Sequence, residues 1–332
     1  MRDWTRREFV KTSATGLAVM ATGRLGWPPP SKAQVSLVDV GSGGREAAIR
    51  RAIELVGMPD VSARWIAVKP NYNSADPFPG STHPKTLEAL VRILREQGAG
   101  RITVADRSGM GDSREVMEHK GVLLQAKALD FEALPLQDLP PEGWHSIQHP
   151  DLRWSQGFHV ASVFREADAI VQTCCLKTHR FGGHFTLSLK NTVGMVAKTV
   201  PGVDHNFMRE LHTSPHQRRM IAELNLSYEP ALVVMDAVQC FVDRGPDTGT
   251  VAQPNVILAA TDRVALDAVG VAILREKGTT PDVSQGPIFG LEQIARAAEL
   301  GIGVDSPERV EIVTDDPVSG QYAETLREIL LA

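Results

Sequence analysis

The stretch CCLKTHRFGGHFTLSLKN, residues 174–191, delivers Lys177, His179, Arg180, Gly182-Gly183, His184 and Lys190-Asn191 directly behind an apolar run. No Asp or Glu occurs between residues 174 and 203, although the chain carries a net charge of −5. Ammonium groups gathered without carboxylates repel one another, so a bound anion would offset them. Imidazoles beside them are held toward the neutral form, in which a proton can be taken up or given near neutral pH. The types present therefore suit a small carboxylate or phosphate ligand. Lys177 and His179 are catalytic candidates, and Lys190 and Asn191 are binding candidates. Gly182 and Gly183 would let backbone amides approach the ligand, with a helix start behind them adding its N-terminus.

Other apolar runs end in the same way. WIAV is followed by Lys69-Pro70-Asn71, ITVA by Asp106-Arg107-Ser108-Gly109, ALVVM by Asp236, and ILAA by Thr261-Asp262. In an open parallel sheet the C-terminal strand ends share one edge, and ligands bind in the crevice there. Lys69 and Asn71 join the binding candidates; Asp106 and Asp236 join the catalytic ones. Exposure alone also makes strand ends polar, and for any single residue that is the simpler reading. Asp262 is placed to cap the helix that follows it, and Asp267 to favour that helix's positive end or to help hold a divalent cation. His184, His205, His212 and Asp267 are the metal candidates, but neither HRFGGH nor HTSPH has a zinc-ligand spacing. GPDTG, residues 245–249, reads either as a wall of the cleft or as an ordinary connection.

The elements that must position these residues follow from periodicity. Strands are expected over 35–40, 65–69, 101–106, 169–176, 231–236, 255–261 and 309–314. Helices are expected over 45–56, 84–97, 217–228, 264–277 and 291–300. Strands apolar on both faces and separated by helices give an α/β fold with a mostly parallel sheet and helices on both faces. Residues 131–160, rich in Pro, His and Trp, read as an excursion or small subdomain.

The chain has 332 residues, 42% of them hydrophobic, enough for one full core. Its first 33 residues hold six Lys/Arg and two Asp/Glu, which leaves 29 basic against 38 acidic residues beyond them. That balance argues against nucleic acid as a partner. Arg6-Arg7, Phe9 and Lys11 precede a modestly apolar stretch and then Ser31-Lys32-Ala33. This resembles a twin-arginine signal over residues 1–33, which implies the twin-arginine translocase as a transient partner and an exported, periplasmic location. A basic N-terminal arm is the alternative. No apolar run reaches the length that spans a bilayer. Cys174, Cys175 and Cys240 read as buried thiols, with a disulfide from Cys240 to one of the other two as the alternative in an oxidising compartment. They lack any cluster-ligand spacing, so no cysteine-ligated iron–sulfur centre is expected.

VKPN (68–71), STHPKTLEALV (81–91), VADRSG (104–109), LKTHRFGGHFTLSLKN (176–191), VVMDAV (233–238), GPDTG and ATDRVALDAVG (260–270) together resemble the bacterial and archaeal "domain of unknown function 362" family, from about residue 66 to 302. The resemblance implies an α/β domain. Some members carry a ferredoxin module, whose cysteines this chain lacks. It also implies site positions at Lys69, Asn71, Asp106, Lys177, His179, Lys190, Asn191, Asp236 and Asp267, without naming a reaction. The expected function is an exported enzyme acting on a small anion. A periplasmic metal- or anion-capturing protein and a redox-associated subunit stand as alternatives.

Overall fold

The computed structural model describes residues 31–41 and 43–332. The leader expected over residues 1–33 lies outside them but for its last three. The first strand, β1 (Ala33–Asp39), opens a ten-stranded sheet of order β12-β1-β11-β9-β7-β2-β3-β4. The others are β2 (Trp65–Lys69), β3 (Arg101–Asp106), β4 (Glu132–Pro135), β7 (Ala169–His179), β9 (Leu232–Phe241), β11 (Val256–Ala260) and β12 (Val310–Val313). Short strands β8 (His184–Thr186) and β10 (Val251–Ala252) pair back onto β7 and β9. Strands β9, β7, β2, β3 and β4 are mutually parallel, whereas β11 runs antiparallel to both β9 and β1. The expected α/β fold with a mostly parallel sheet is what forms.

All eleven residues of β7 are buried, as befits a central strand covered on both faces. Helices α1 (Gly44–Val56) and α2 (Pro84–Glu96) cover one face, where Ile49, Ile53, Leu87 and Leu90 pack on Val68, Val104, Val171 and Val234. On the other face Leu258, Met235 and Leu176 meet the helix Arg263–Glu276, which is buried over its first twelve residues. Its start is fixed by Asp262, whose Oδ1 accepts from the amides of Val264 and Ala265 at 2.8 and 3.0 Å.

The excursion resolves into two parts. Its start supplies β4, the edge strand, and its end forms a separate antiparallel pair, β5 (Trp144–Ile147) with β6 (Phe158–Ala161). Trp144, Leu152, Trp154 and Phe158 seat this pair on a third apolar cluster with Ile170, Met220 and Leu224. The three thiols are buried and free.

Four of the five polar strand ends reach the same sheet edge. The fifth does not, because β11 is reversed: Asp262 emerges at the opposite edge, where it also accepts from the Val304 amide at 2.8 Å.

Candidate functional site

Above the C-terminal ends of β2, β3 and β7 lies a cavity of about 700 Å³. Its floor combines β-strand tips with the segment Ser188–Asn191, here α3, and one wall is α4 (Phe207–Thr213). Six cationic side chains line it, from Lys69, Arg107, Lys177, Lys190, Lys198 and Arg209, against the single carboxylate of Asp106.

That carboxylate is already committed. Asp106 Oδ1 lies 2.7 Å from Lys69 Nζ and accepts from the Arg107 amide at 2.8 Å; Oδ2 accepts from the Tyr72 amide at 2.6 Å. Lys69 Nζ also donates to Pro70 O at 2.6 Å and Asn191 Oδ1 at 3.2 Å, which uses all three of its protons. Burial disfavours charge on both partners, raising the carboxyl and lowering the ammonium, and their contact offsets part of this. Gly194 sits over the pair. A Cβ there would fall 2.3 Å from Asp106 Oδ1 and 2.7 Å from Lys69 Nζ, so any side chain at this position would push the two charges aside.

Among the described residues none of the remaining lining cations forms an ion pair, although the Asp106 charge favours the Arg107 guanidinium. The buried guanidinium of Arg107 donates to the carbonyls of Val196, Val193 and Ser108, at 2.6 to 3.0 Å, and to Met208 Sδ. Burial lowers it to about 10, still protonated at neutral pH. Lys177 Nζ donates to Gly80 O; burial lowers its amine, and the carboxylates that offset part of this, Asp76 and Asp247, lie beyond the cavity lining. Lys190 is 7% exposed, and its Nζ makes no hydrogen bond among the described residues. Burial, then Lys177, then Arg107, push its amine down to about 7; no anion contributes.

His179 faces the same space from the same side of β7 as Lys177. It is held well below the usual imidazole range by burial and by Lys190 and Lys177, so it is neutral. Among the described residues its Nδ1 has no hydrogen-bond partner, and neither do the buried Asn71 Oδ1 and Thr186 Oγ1, whose residues also line the cavity. Buried polar atoms are rarely left unpaired, which makes these three lining residues candidates to bond a ligand or water. Phe181 and Met110, each 48% exposed, put apolar surface at the mouth.

Lys69, Asn71, Asp106, Lys177, His179, Lys190 and Asn191 thus come together as the sequence suggests. Asp236 does not: its carboxylate turns away to Arg45 Nε at 2.8 Å and to Thr86 Oγ1. Neither glycine of the Gly-Gly pair is among the residues that line the cavity. Gly182 bends at φ 78°, and a Cβ on Gly183 would meet Lys190 Cε at 2.7 Å and His179 Nδ1 at 2.9 Å. Gly183 is clearance for those two side chains, whereas a Cβ on Gly182 would meet Gln217 Oε1 at 2.4 Å. Nor is the helix start free, because Asp267 accepts from the amides of Ser188 and Leu189 at 2.8 and 3.0 Å. Its carboxyl, fully buried, is pushed up to about 7.

The metal candidates do not converge. Asp267 is used as that cap, His205 Nε2 pairs with Glu210 at 2.7 Å, His212 Nδ1 meets Gln217 at 2.9 Å, and His184 opens β8 near Arg218. Only His212 reaches the cavity, where burial and the nearby Lys190 and Arg107 push it down to about 4. Among the described residues no group of three His, Cys, Asp or Glu is arranged to hold a metal ion.

Arg107, Lys198, Arg209 and Gly194 are lining residues that sequence reasoning passed over. Lys198 belongs to the acid-free stretch and could have been counted with it. Arg209 lies on a seven-residue helix too short to display a period. Pro246 of the GPDTG loop forms part of the wall.

No curated protein matches the chain. Among solved structures it is similar to the lactate racemase apoprotein from Thermoanaerobacterium thermosaccharolyticum, at 12% identity and a TM-score of 0.44, over 92% of this chain and 88% of that one. Residues 66–272, more than half of the chain and all of the strand ends just described, match the family model named Domain of unknown function (DUF362). The chain belongs to the DUF362 family.

Proposed function

We propose that this protein is an enzyme acting on a small organic anion, a carboxylate or phosphate, held in the cavity above β2, β3 and β7. The observation that carries the reading is the imbalance of six cationic side chains against one carboxylate that is itself consumed by Lys69. Burying cations without counter-charges is costly, and a bound anion removes that cost. In this reading Lys177 and Arg107 hold the anion from below, Lys198 and Arg209 draw it in from the rim, and neutral His179 carries a proton. Phe181 and Met110 cover its apolar part. Asp106 and Lys69 brace the floor. The leader read over residues 1–33 assigns the activity to the exported space, and replacing both Arg6 and Arg7 with Lys should stop export.

Native purification with mass spectrometry of co-purified small molecules tests the binding half. A retained carboxylate or phosphate, and thermal stabilisation by oxalate or phosphate that Lys177→Met removes, are the expected results. A ligand returned chemically unchanged would make the protein a solute-capturing one, and a melting temperature indifferent to every anion would end the reading.

A further inference from the structure

Lys190 differs from its cationic neighbours in a way that anion binding alone does not require. Lys177 and Arg107 donate hydrogen bonds to fixed carbonyls, as charged groups in a low-dielectric site do. Lys190 Nζ has no acceptor among the described residues, is surrounded by like charge and opens onto the cavity. An amine so placed has no protein acceptor among the described residues to keep it an ammonium, and an amine held toward its neutral form beside another cation is a nucleophile. Gly183 leaves room for the Lys190 stem and the His179 ring on one spot: a Cβ there would meet Lys190 Cε at 2.7 Å and His179 Nδ1 at 2.9 Å, and among the described residues that imidazole nitrogen has no hydrogen-bond partner.

We propose that Lys190 forms an imine with the carbonyl carbon of its substrate, so that the anion bound here is a 2-oxo acid or a similar carbonyl-bearing carboxylate. The inference rests on the cavity being an anion site and adds the reacting bond. The Nζ lone pair attacks the carbonyl carbon and a C–N bond forms. Nitrogen loses a proton and the carbonyl oxygen gains one, giving a carbinolamine. A second proton delivered to that oxygen lets it leave as water, and the C=N bond remains. Nothing is oxidised or reduced. Neutral His179, which lines the same cavity, would relay both protons from nitrogen to oxygen, while Lys177 and Arg107 hold the carboxylate. The orphaned Asn71 Oδ1 and Thr186 Oγ1 would then bond the departing water or the substrate's polar atoms.

The test is incubation of the intact protein with a set of 2-oxo acids from pyruvate to 2-oxoglutarate plus sodium cyanoborohydride, followed by peptide mass spectrometry. Oxalate, which has no ketone, is the parallel probe of anion binding by thermal shift. A single reduced adduct mapped to Lys190, absent in Lys190→Arg and suppressed by oxalate, is expected. Because the adduct is located in the unaltered protein, the result does not depend on a variant folding. Stabilisation by oxalate with no adduct, or with label spread over surface lysines, overturns the imine and leaves the anion site standing. No stabilisation by any of these acids and no adduct would overturn both.

Discussion

Asp106 and Lys69 meet at 2.7 Å directly beneath Gly194, and the missing side chain of that glycine is what lets the pair close. The pair joins the tips of β2 and β3, and Asn191 ties it to the α3 segment through Lys69 Nζ. One buried ion pair thereby sets the spacing between the two halves of the cavity floor.

Lys69→Met should destabilise the protein by about 3–5 kcal/mol, because it strands Asp106 without its partner in a buried place. Gly194→Ala should cost about 1–3 kcal/mol, as the new methyl group displaces both charges. Urea melts of the two variants check this. Midpoints equal to that of the parent would mean that the pair is not holding the floor together.

Lys190→Met should have the opposite sign. It removes a buried cation that has no counter-charge, so the ligand-free variant should be unchanged or more stable, by up to about 2 kcal/mol. It should also lose most of the stabilisation that oxalate gives the parent. A variant markedly less stable than the parent would show Lys190 to be a structural residue with an acceptor in solution.

The contrast between two lysines that look alike in the sequence marks where reading the chain stops being enough. Strand order along the chain was legible from period and apolar runs, and β2 begins and ends where the pattern places it. The common edge was legible too, since four polar ends follow from parallel strands. The reversal of β11 was not, because an apolar strand reads the same in either direction, and it carries Asp262 to the far edge. Asp236 looked equivalent to Asp106 at a strand end. The ladder shift between Cys175 and Leu176, opposite Asp236 and Cys240, accompanies its turn toward Arg45 and Thr86. Gly182-Gly183 looked like an amide cradle, and Asp267 like a group on the first turns of its own helix. Only the fold reveals that Asp267 reaches across to cap Ser188 and Leu189 instead, and which lysine is left without an acceptor.

Asp267→Ala should cost about 1–3 kcal/mol, because two buried amides lose their acceptor at once. Asp267→Asn keeps one good acceptor and should cost about half as much. Hydrogen exchange at Ser188 and Leu189 gives the specific readout: faster exchange at those two amides in the Ala variant, with the rest of the sheet unaffected. Protection retained there would show that another group takes over the cap.

Lys190 also predicts two pH dependences of opposite sign. Its amine lies at about 7 in the fold, lowered by burial, Lys177 and Arg107, against roughly 10.4 in an unfolded chain. Lys177 and His179 from β7, Arg107 from the end of β3 and His212 from α4 face it, and none of them is an anion. The fold therefore resists its protonation. The resulting cost to stability is absent above the unfolded value, grows as pH falls, and is complete below about 7. An anion relieves that cost, so stabilisation by oxalate should strengthen as pH falls through about 7 and then level off. Imine formation needs the free amine, so the rate of cyanoborohydride trapping should rise through the same pH, until imine protonation limits it. Thermal shift and adduct yield measured across that range on one preparation separate the two uses of the group. If both curves are flat, Lys190 is not the residue that titrates there.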